Sequence, residues 1–168
     1  MATVRESLNI AVAHQQAGRL RQAEQLYQEI LRVNPQHPDA LNLLGLVWHQ
    51  SGNHEAALDS IRRAVALLPD NPGFLSNLGM VYRAVGRLDE AVTCYRQALA
   101  LKPGNAEAHN NLGNALQAQG QLDEAVVSYR QALALKPGYA EAHSNLGTAL
   151  KAQGQLDEAV ACYRQALA

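Results

Sequence analysis

Residues 106–134 read AEAHNNLGNALQAQGQLDEAVVSYRQALA, and residues 140–168 repeat that text as AEAHSNLGTALKAQGQLDEAVACYRQALA, with five of the 29 positions changed. The offset is 34 residues, and it runs through the whole chain. Gly18, Gly52, Gly86, Gly120 and Gly154 recur at that interval, as do Ala23, Ala57, Ala91, Ala125 and Ala159. Pro35, Pro69, Pro103 and Pro137 punctuate the same register, and Tyr27, Ile61, Tyr95, Tyr129 and Tyr163 supply one large side chain per unit. A period of this length marks stacked supersecondary units, each too small to bury its own apolar face.

Inside one unit, Ala108, Leu112, Ala115, Leu116 and Gln119 share a helical face, which predicts a first helix of about three turns. Gly120 breaks it. The three- and four-residue spacing of Leu122, Ala125, Val126, Tyr129, Ala132 and Leu133 predicts a second amphipathic helix, ended by Pro137 and Gly138. Asp123 and Glu124 stand in its first turn, where carboxylates suit the positive end of the helix dipole. Gly113 and Ala125 are expected to let two backbones approach closely, so that a larger side chain would overpack the crossing.

Composition removes several function classes. The 168 residues carry 14 Lys plus Arg against 15 Asp plus Glu, a net charge of −1 without a block of one sign, whereas a dedicated nucleic-acid binder is visibly basic. The longest strictly apolar run, Ala64 to Leu68, is far below the roughly 20 residues that cross a bilayer. Neither nucleic acid nor membrane is an expected partner. With Arg5 followed by Glu6 and no long apolar segment after them, the chain reads as cytoplasmic.

The text NLGNALQAQGQLDEAVVSYRQALALKP resembles the tetratricopeptide repeat (TPR) family, and the resemblance covers nearly the whole chain. Ile10-Ala11 departs from the Leu-Gly of the other first helices, and His109 and His143 replace the family's frequent Trp. The resemblance implies an all-α, right-handed solenoid of five helix-turn-helix hairpins, with first helices lining the concave side. One domain over 1–168 is expected, with repeats at about 4–37, 38–71, 72–105, 106–139 and an incomplete 140–168.

Catalytic chemistry finds little support in these residues. Asp89-Glu90, Asp123-Glu124 and Asp157-Glu158 are adjacent helical residues pointing about 100° apart, which suits helix starts better than a paired acid and base. No phosphate-cradling loop or nucleophile elbow is written here. His49 and His54 straddle the helix-breaking Gly52, and a five-residue offset does not align ligands on one helix face. No metal or other cofactor is therefore expected, and His109 and His143 read as packing or capping residues. Cys94 and Cys162 share a column two repeats apart, so helices stacked about 10 Å apart keep them beyond disulfide range. Both are expected to be free, inert thiols.

A peptide-binding groove is the positive expectation. The five differences between the last two units are Asn110/Ser144, Asn114/Thr148, Gln117/Lys151, Val127/Ala161 and Ser128/Cys162. The first three fall on one first-helix face, opposite Leu112 and Leu116, and are expected to line the groove. Drift at exposed sites is the alternative. Beside them runs a column of Asn9, Asn77, Asn111 and Asn145, interrupted by Leu43. Amides offer donors and an acceptor to a peptide backbone whatever its sequence. Alternatively each Asn bonds the neighbouring repeat. The column is similar to the asparagine ladder in the repeats of O-linked N-acetylglucosamine transferases, a likeness that brings no catalytic domain with it. The cationic clamp of TPR co-chaperones is missing, since Leu8, Asn42, Ser76, Asn110 and Ser144 stand where its Lys would be.

These readings lead to a non-catalytic module binding protein or peptide segments. The alternatives are a substrate-recognition region of a larger, glycosyltransferase-like enzyme and a self-assembling scaffold. Self-association is expected through the C-terminal end, where Val160, Tyr163 and Leu167 form a stripe without the polar capping element of terminal repeats.

Overall fold

The structure is a computed structural model, and it describes residues 3–167. Ten helices and no strand occur among them: α1 (Val4–Gln16), α2 (Leu20–Val33), α3 (Pro38–Gln50), α4 (His54–Leu67), α5 (Pro72–Ala84), α6 (Leu88–Leu101), α7 (Ala106–Ala118), α8 (Leu122–Leu135), α9 (Ala140–Ala152) and α10 (Leu156–Ala166). They alternate as the 34-residue period predicts. The chain divides into two compact units, one ending at Val85 and the other beginning at Gly86.

Each hairpin turn is built by its glycine. Gly18, Gly52, Gly86, Gly120 and Gly154 have φ between +71° and +82°, the left-handed conformation that closes a helix without steric cost only when there is no Cβ. The bonds around them are those of a Schellman cap: Arg19 N–H donates to the His14 carbonyl, Asn53 to Trp48, Gln121 to Leu116 and Gln155 to Leu150, at 2.8–2.9 Å. First helices α1, α3, α5 and α7 open on side-chain caps. Thr3 and Glu6 form a reciprocal capping box, Asn71 accepts from Gly73 and Phe74 N–H, and Asn105 accepts from Ala108 N–H. Second helices α6, α8 and α10 lack such caps and carry Asp-Glu pairs in the first turn instead.

The core follows the sequence columns. Tyr27, Ile61, Tyr95 and Tyr129 are fully buried, and the five periodic alanines are at most 2% exposed. The glycine of the first helix has a different task from the one its spacing suggests. A Cβ on Gly113 would stand 2.5 Å from Tyr129 Cε1, and one on Gly147 would stand 2.8 Å from Tyr163 Cε1. The missing side chain makes a seat for an aromatic ring; in α3 it is the Ile61 side chain that fills the place over Gly45.

Within each unit the two rows of helices are packed unequally. First helices touch their successors, α1 with α3, α3 with α5 and α7 with α9, whereas the backbones of α2 and α4, α6 and α8, and α8 and α10 stay apart. The tighter row is the inner one. First helices therefore line the concave side of each unit. The outer row is bridged by long side chains, Arg96 to Glu124 and Arg130 to Glu158, each at 2.6 Å and about half exposed. No helix among the described residues is long and apolar enough to cross a membrane.

Candidate interaction surface on the first helices

The asparagine column lies on the inner row, and two of its members are tied to the preceding first helix. Asn77 Nδ2 on α5 donates to Asn42 Oδ1 on α3 at 3.0 Å, and Asn145 Nδ2 on α9 donates to Asn110 Oδ1 on α7 at 3.0 Å. Asn77, Asn111 and Asn145 are half-buried, and Asn9 is exposed. The bonded amides sit in fixed orientations, because the partners Asn42 and Asn110 are themselves buried. Bonding to the neighbouring repeat is thus observed at Asn77 and Asn145.

Asn110 departs from expectation. It is fully buried, with Nδ2 donating to Glu141 Oε1 at 3.0 Å, so it does not open into the groove. Its counterpart Ser144 is exposed. The reason is the neighbour: α9 covers this column on α7, whereas on α9 itself the described residues place no further first helix over it. Near the same cluster, burial pushes the Tyr139 hydroxyl up from its ordinary range, helped by the charges of Glu141 and Glu107.

Asn114 and Gln117 are half-buried and face the ring seat. The Tyr129 hydroxyl lies 2.8 Å from Asn114 Oδ1 and 3.0 Å from Gln117 Oε1. In the last hairpin Thr148 Oγ1 is 3.3 Å from the Tyr163 hydroxyl and 3.0 Å from the Ser144 carbonyl, while Lys151 is exposed. In the first, the Tyr27 hydroxyl donates to Gln15 Oε1 at 3.1 Å, and burial pushes its pKa up to about 12. Sequence reasoning missed this anchoring of inner-face polar residues by a tyrosine behind them. The available signal was the choice of Tyr in four of five units, since a buried Tyr needs a partner for its hydroxyl.

Four of the six histidines fall into two kinds. His109 Nε2 and His143 Nε2 lie 3.0 and 2.7 Å from the carbonyls of Pro103 and Pro137, six residues upstream, which fixes the entry to each first helix. His49 and His54 do meet, contrary to the expectation from their offset. Their Nδ1 atoms are 3.1 Å apart, because the Gly52 turn folds the start of α4 back onto the end of α3. Burial holds the His49 imidazole below its usual pKa, and the charges of His54 and Arg83 lower it further. Cys94 and Cys162 are buried and unbridged, and burial together with Glu158 pushes the Cys162 thiol up, away from the reactive thiolate.

Known proteins agree with this architecture. Residues 8–72 and 142–168 match the tetratricopeptide repeat family, and residues 79–120 and 113–154 match the TPR repeat. Among solved structures the chain is similar to a thermophilic TPR protein of Thermus thermophilus, with TM-score 0.81 and 30% identity over 98% of this chain and 90% of that one. It is similar to MamA, with TM-score 0.83 and 26% identity over 94% and 92% of the two chains. A MamA from Desulfovibrio magneticus RS-1 shares the fold at TM-score 0.87 and 20% identity, over 98% and 93%. No curated protein matches the sequence significantly. The period, the glycine turns, the ring seats and these likenesses converge: the chain belongs to the tetratricopeptide repeat family.

Proposed function

We propose that this chain is a non-catalytic, cytoplasmic interaction module that binds an extended protein or peptide segment along the first helices. The observation that supports this reading is the held orientation of the inner amides. Asn77 and Asn145 each spend one amide proton on a buried Asn of the preceding first helix, which fixes the remaining proton and the carbonyl oxygen for an incoming backbone. Groups fixed before binding lose less entropy on binding. Asn9 and Asn111 extend the column, and Asn114, Gln117, Ser144, Thr148 and Lys151 vary beside it. Asn110 supports the amide ladder from behind.

The test is titration of a captured peptide against wild type and the Asn77→Ala, Asn111→Ala, Asn145→Ala triple variant, with circular dichroism reporting helix content. Each ligand-facing amide contributes about 0.5–1.5 kcal/mol, so affinity falls roughly tenfold to a thousandfold. Binding depends weakly on salt, because amides and hydroxyls outnumber charges on this face. Unchanged affinity in a helical triple variant rejects the ladder as a binding surface.

Self-association is a second reading, favoured by α10. Leu156, Val160 and Leu167 are 60%, 48% and 89% exposed, whereas Val126, the counterpart of Val160 on α8, is 6% exposed. A second copy laying a first helix on this face would repeat the contact that α9 makes with α8. Sedimentation across a wide concentration range decides it, and a strict monomer rejects it. The amide column also favours a recognition region within a larger glycosyltransferase-like enzyme, which transferase assays on the parent protein would test.

A further inference from the structure

We infer that His49 and His54 form a two-histidine chelate for a divalent first-row transition ion, best suited to Cu2+. The two side chains come from different helices and are brought together by a rigid turn. Gly52 N–H donates to the His49 carbonyl at 3.0 Å and Asn53 N–H to the Trp48 carbonyl at 2.8 Å, so backbone bonds fix the turn that carries both residues. The ring centroids are 4.9 Å apart with an interplanar angle of 45°. With metal–nitrogen bonds of about 2.0–2.1 Å, the 3.1 Å between the Nδ1 atoms subtends about 100° at an ion held by both. That lies between the cis angle of a square-planar site and the tetrahedral angle. The two Nδ1 atoms hydrogen-bond each other here, so one of them carries a proton; on binding, that proton moves to Nε2 of the same ring, both rings turn about their χ torsions to aim Nδ1 lone pairs at the ion, and water fills its other positions.

Imidazole ligands suit Cu2+, Ni2+ and Zn2+, and the order of affinities places Cu2+ highest. Both rings are half-buried, so an ion can reach them from solvent. The other four histidines are engaged differently. His14 Nδ1 accepts from Arg19, His37 Nδ1 accepts from Ala40 N–H, and His109 and His143 lie against proline carbonyls. Among the described residues, only the turn between α3 and α4 brings two imidazoles within hydrogen-bonding distance. Arg83, whose charge reaches His49, works against a bound dication and limits its affinity.

Metal binding at this pair would act on the fold as well. An ion bound to both rings links the end of α3 to the start of α4 and stabilises the hairpin relative to the unfolded chain.

The experiment uses the whole chain and Cu2+ alone. In imidazole proton–nitrogen NMR spectra of the wild type, substoichiometric Cu2+ should broaden the His49 and His54 resonances first and together. Calorimetric titration should show His54→Gln weakening the site at least about tenfold, the smaller loss known for disturbing even a supporting partner of a metal ligand. Thermal melts should show Cu2+ raising Tm in the wild type and losing that effect in His54→Gln. Parallel broadening of all six histidines, first broadening at any other histidine, or unchanged affinity in His54→Gln would each overturn the assignment. Should His54→Gln fail to fold, His49→Gln takes its place, and the wild-type NMR titration decides without either variant.

Discussion

The hairpins α3–α4 and α7–α8 solve one packing problem with different chemistry. In α7–α8 the Tyr129 ring sits over Gly113, and its hydroxyl holds Asn114 and Gln117 on the inner helix. In α3–α4 Ile61 occupies the equivalent seat over Gly45 and brings no polar atom with it. The residue aligned with Gln117 is His49, and with no hydroxyl behind it, it turns to His54 instead. At this one column, what the inner-face residue does thus differs with the side chain beneath it: Gln117 is held by a tyrosine hydroxyl, and His49, over an isoleucine, meets His54.

The ring seat should show the largest effect. Tyr129→Ala should destabilise by about 3–5 kcal/mol, the cost of emptying an aromatic site in a core. Gly113→Ala in the wild type should cost about 1–3 kcal/mol, since its Cβ meets the ring. In the Tyr129→Ala background most of that second cost should vanish. Denaturant midpoints for the four proteins of this cycle measure the coupling, and additive shifts would show that glycine serves something other than the ring.

A smaller effect separates two residues that occupy one sequence column. Asn110→Ala leaves Asn145 and Glu141 without their buried partner and should cost about 1–3 kcal/mol. Ser144→Ala, on an exposed surface, should stay within about 0.5 kcal/mol. Equal losses by chemical denaturation would mean that the column, and not its covering helix, sets the role.

The smallest change addresses the hydroxyl alone. Tyr129→Phe should cost about 0.5–1.5 kcal/mol while leaving the ring seat filled. The same variant should let the Asn114 and Gln117 side chains sample more rotamers, visible as sharper, exchange-averaged amide signals. Unaltered amide dynamics would break the link between the seat and the inner face.

The fold was legible because its information is local and repeated. Glycines spaced by 34 residues located the turn inside every hairpin, and apolar spacing located the paired helices. The candidate surface was legible only in part. Column positions identify equivalent residues, yet Asn110 and Ser144 differ completely in exposure because their cover comes from the next hairpin along. The His49 and His54 contact was misread for a related reason: helical offsets describe one helix, and these residues stand on either side of a chain reversal. The tyrosine hydroxyls were visible as letters, but their partners lie 12 to 15 residues upstream on the opposing helix.

The unequal rows of helices have a mechanical consequence. Arg96–Glu124 and Arg130–Glu158 are exposed ion pairs, each worth under about 1 kcal/mol and weakened by salt. The inner row of the same unit is held by direct contact between helices and by buried amides. Such a unit behaves as a leaf spring with a stiff inner ply and a soft outer one. Its curvature can loosen or tighten at little cost by parting or closing the outer pairs, so ionic strength becomes a control on elasticity, separate from any control on affinity.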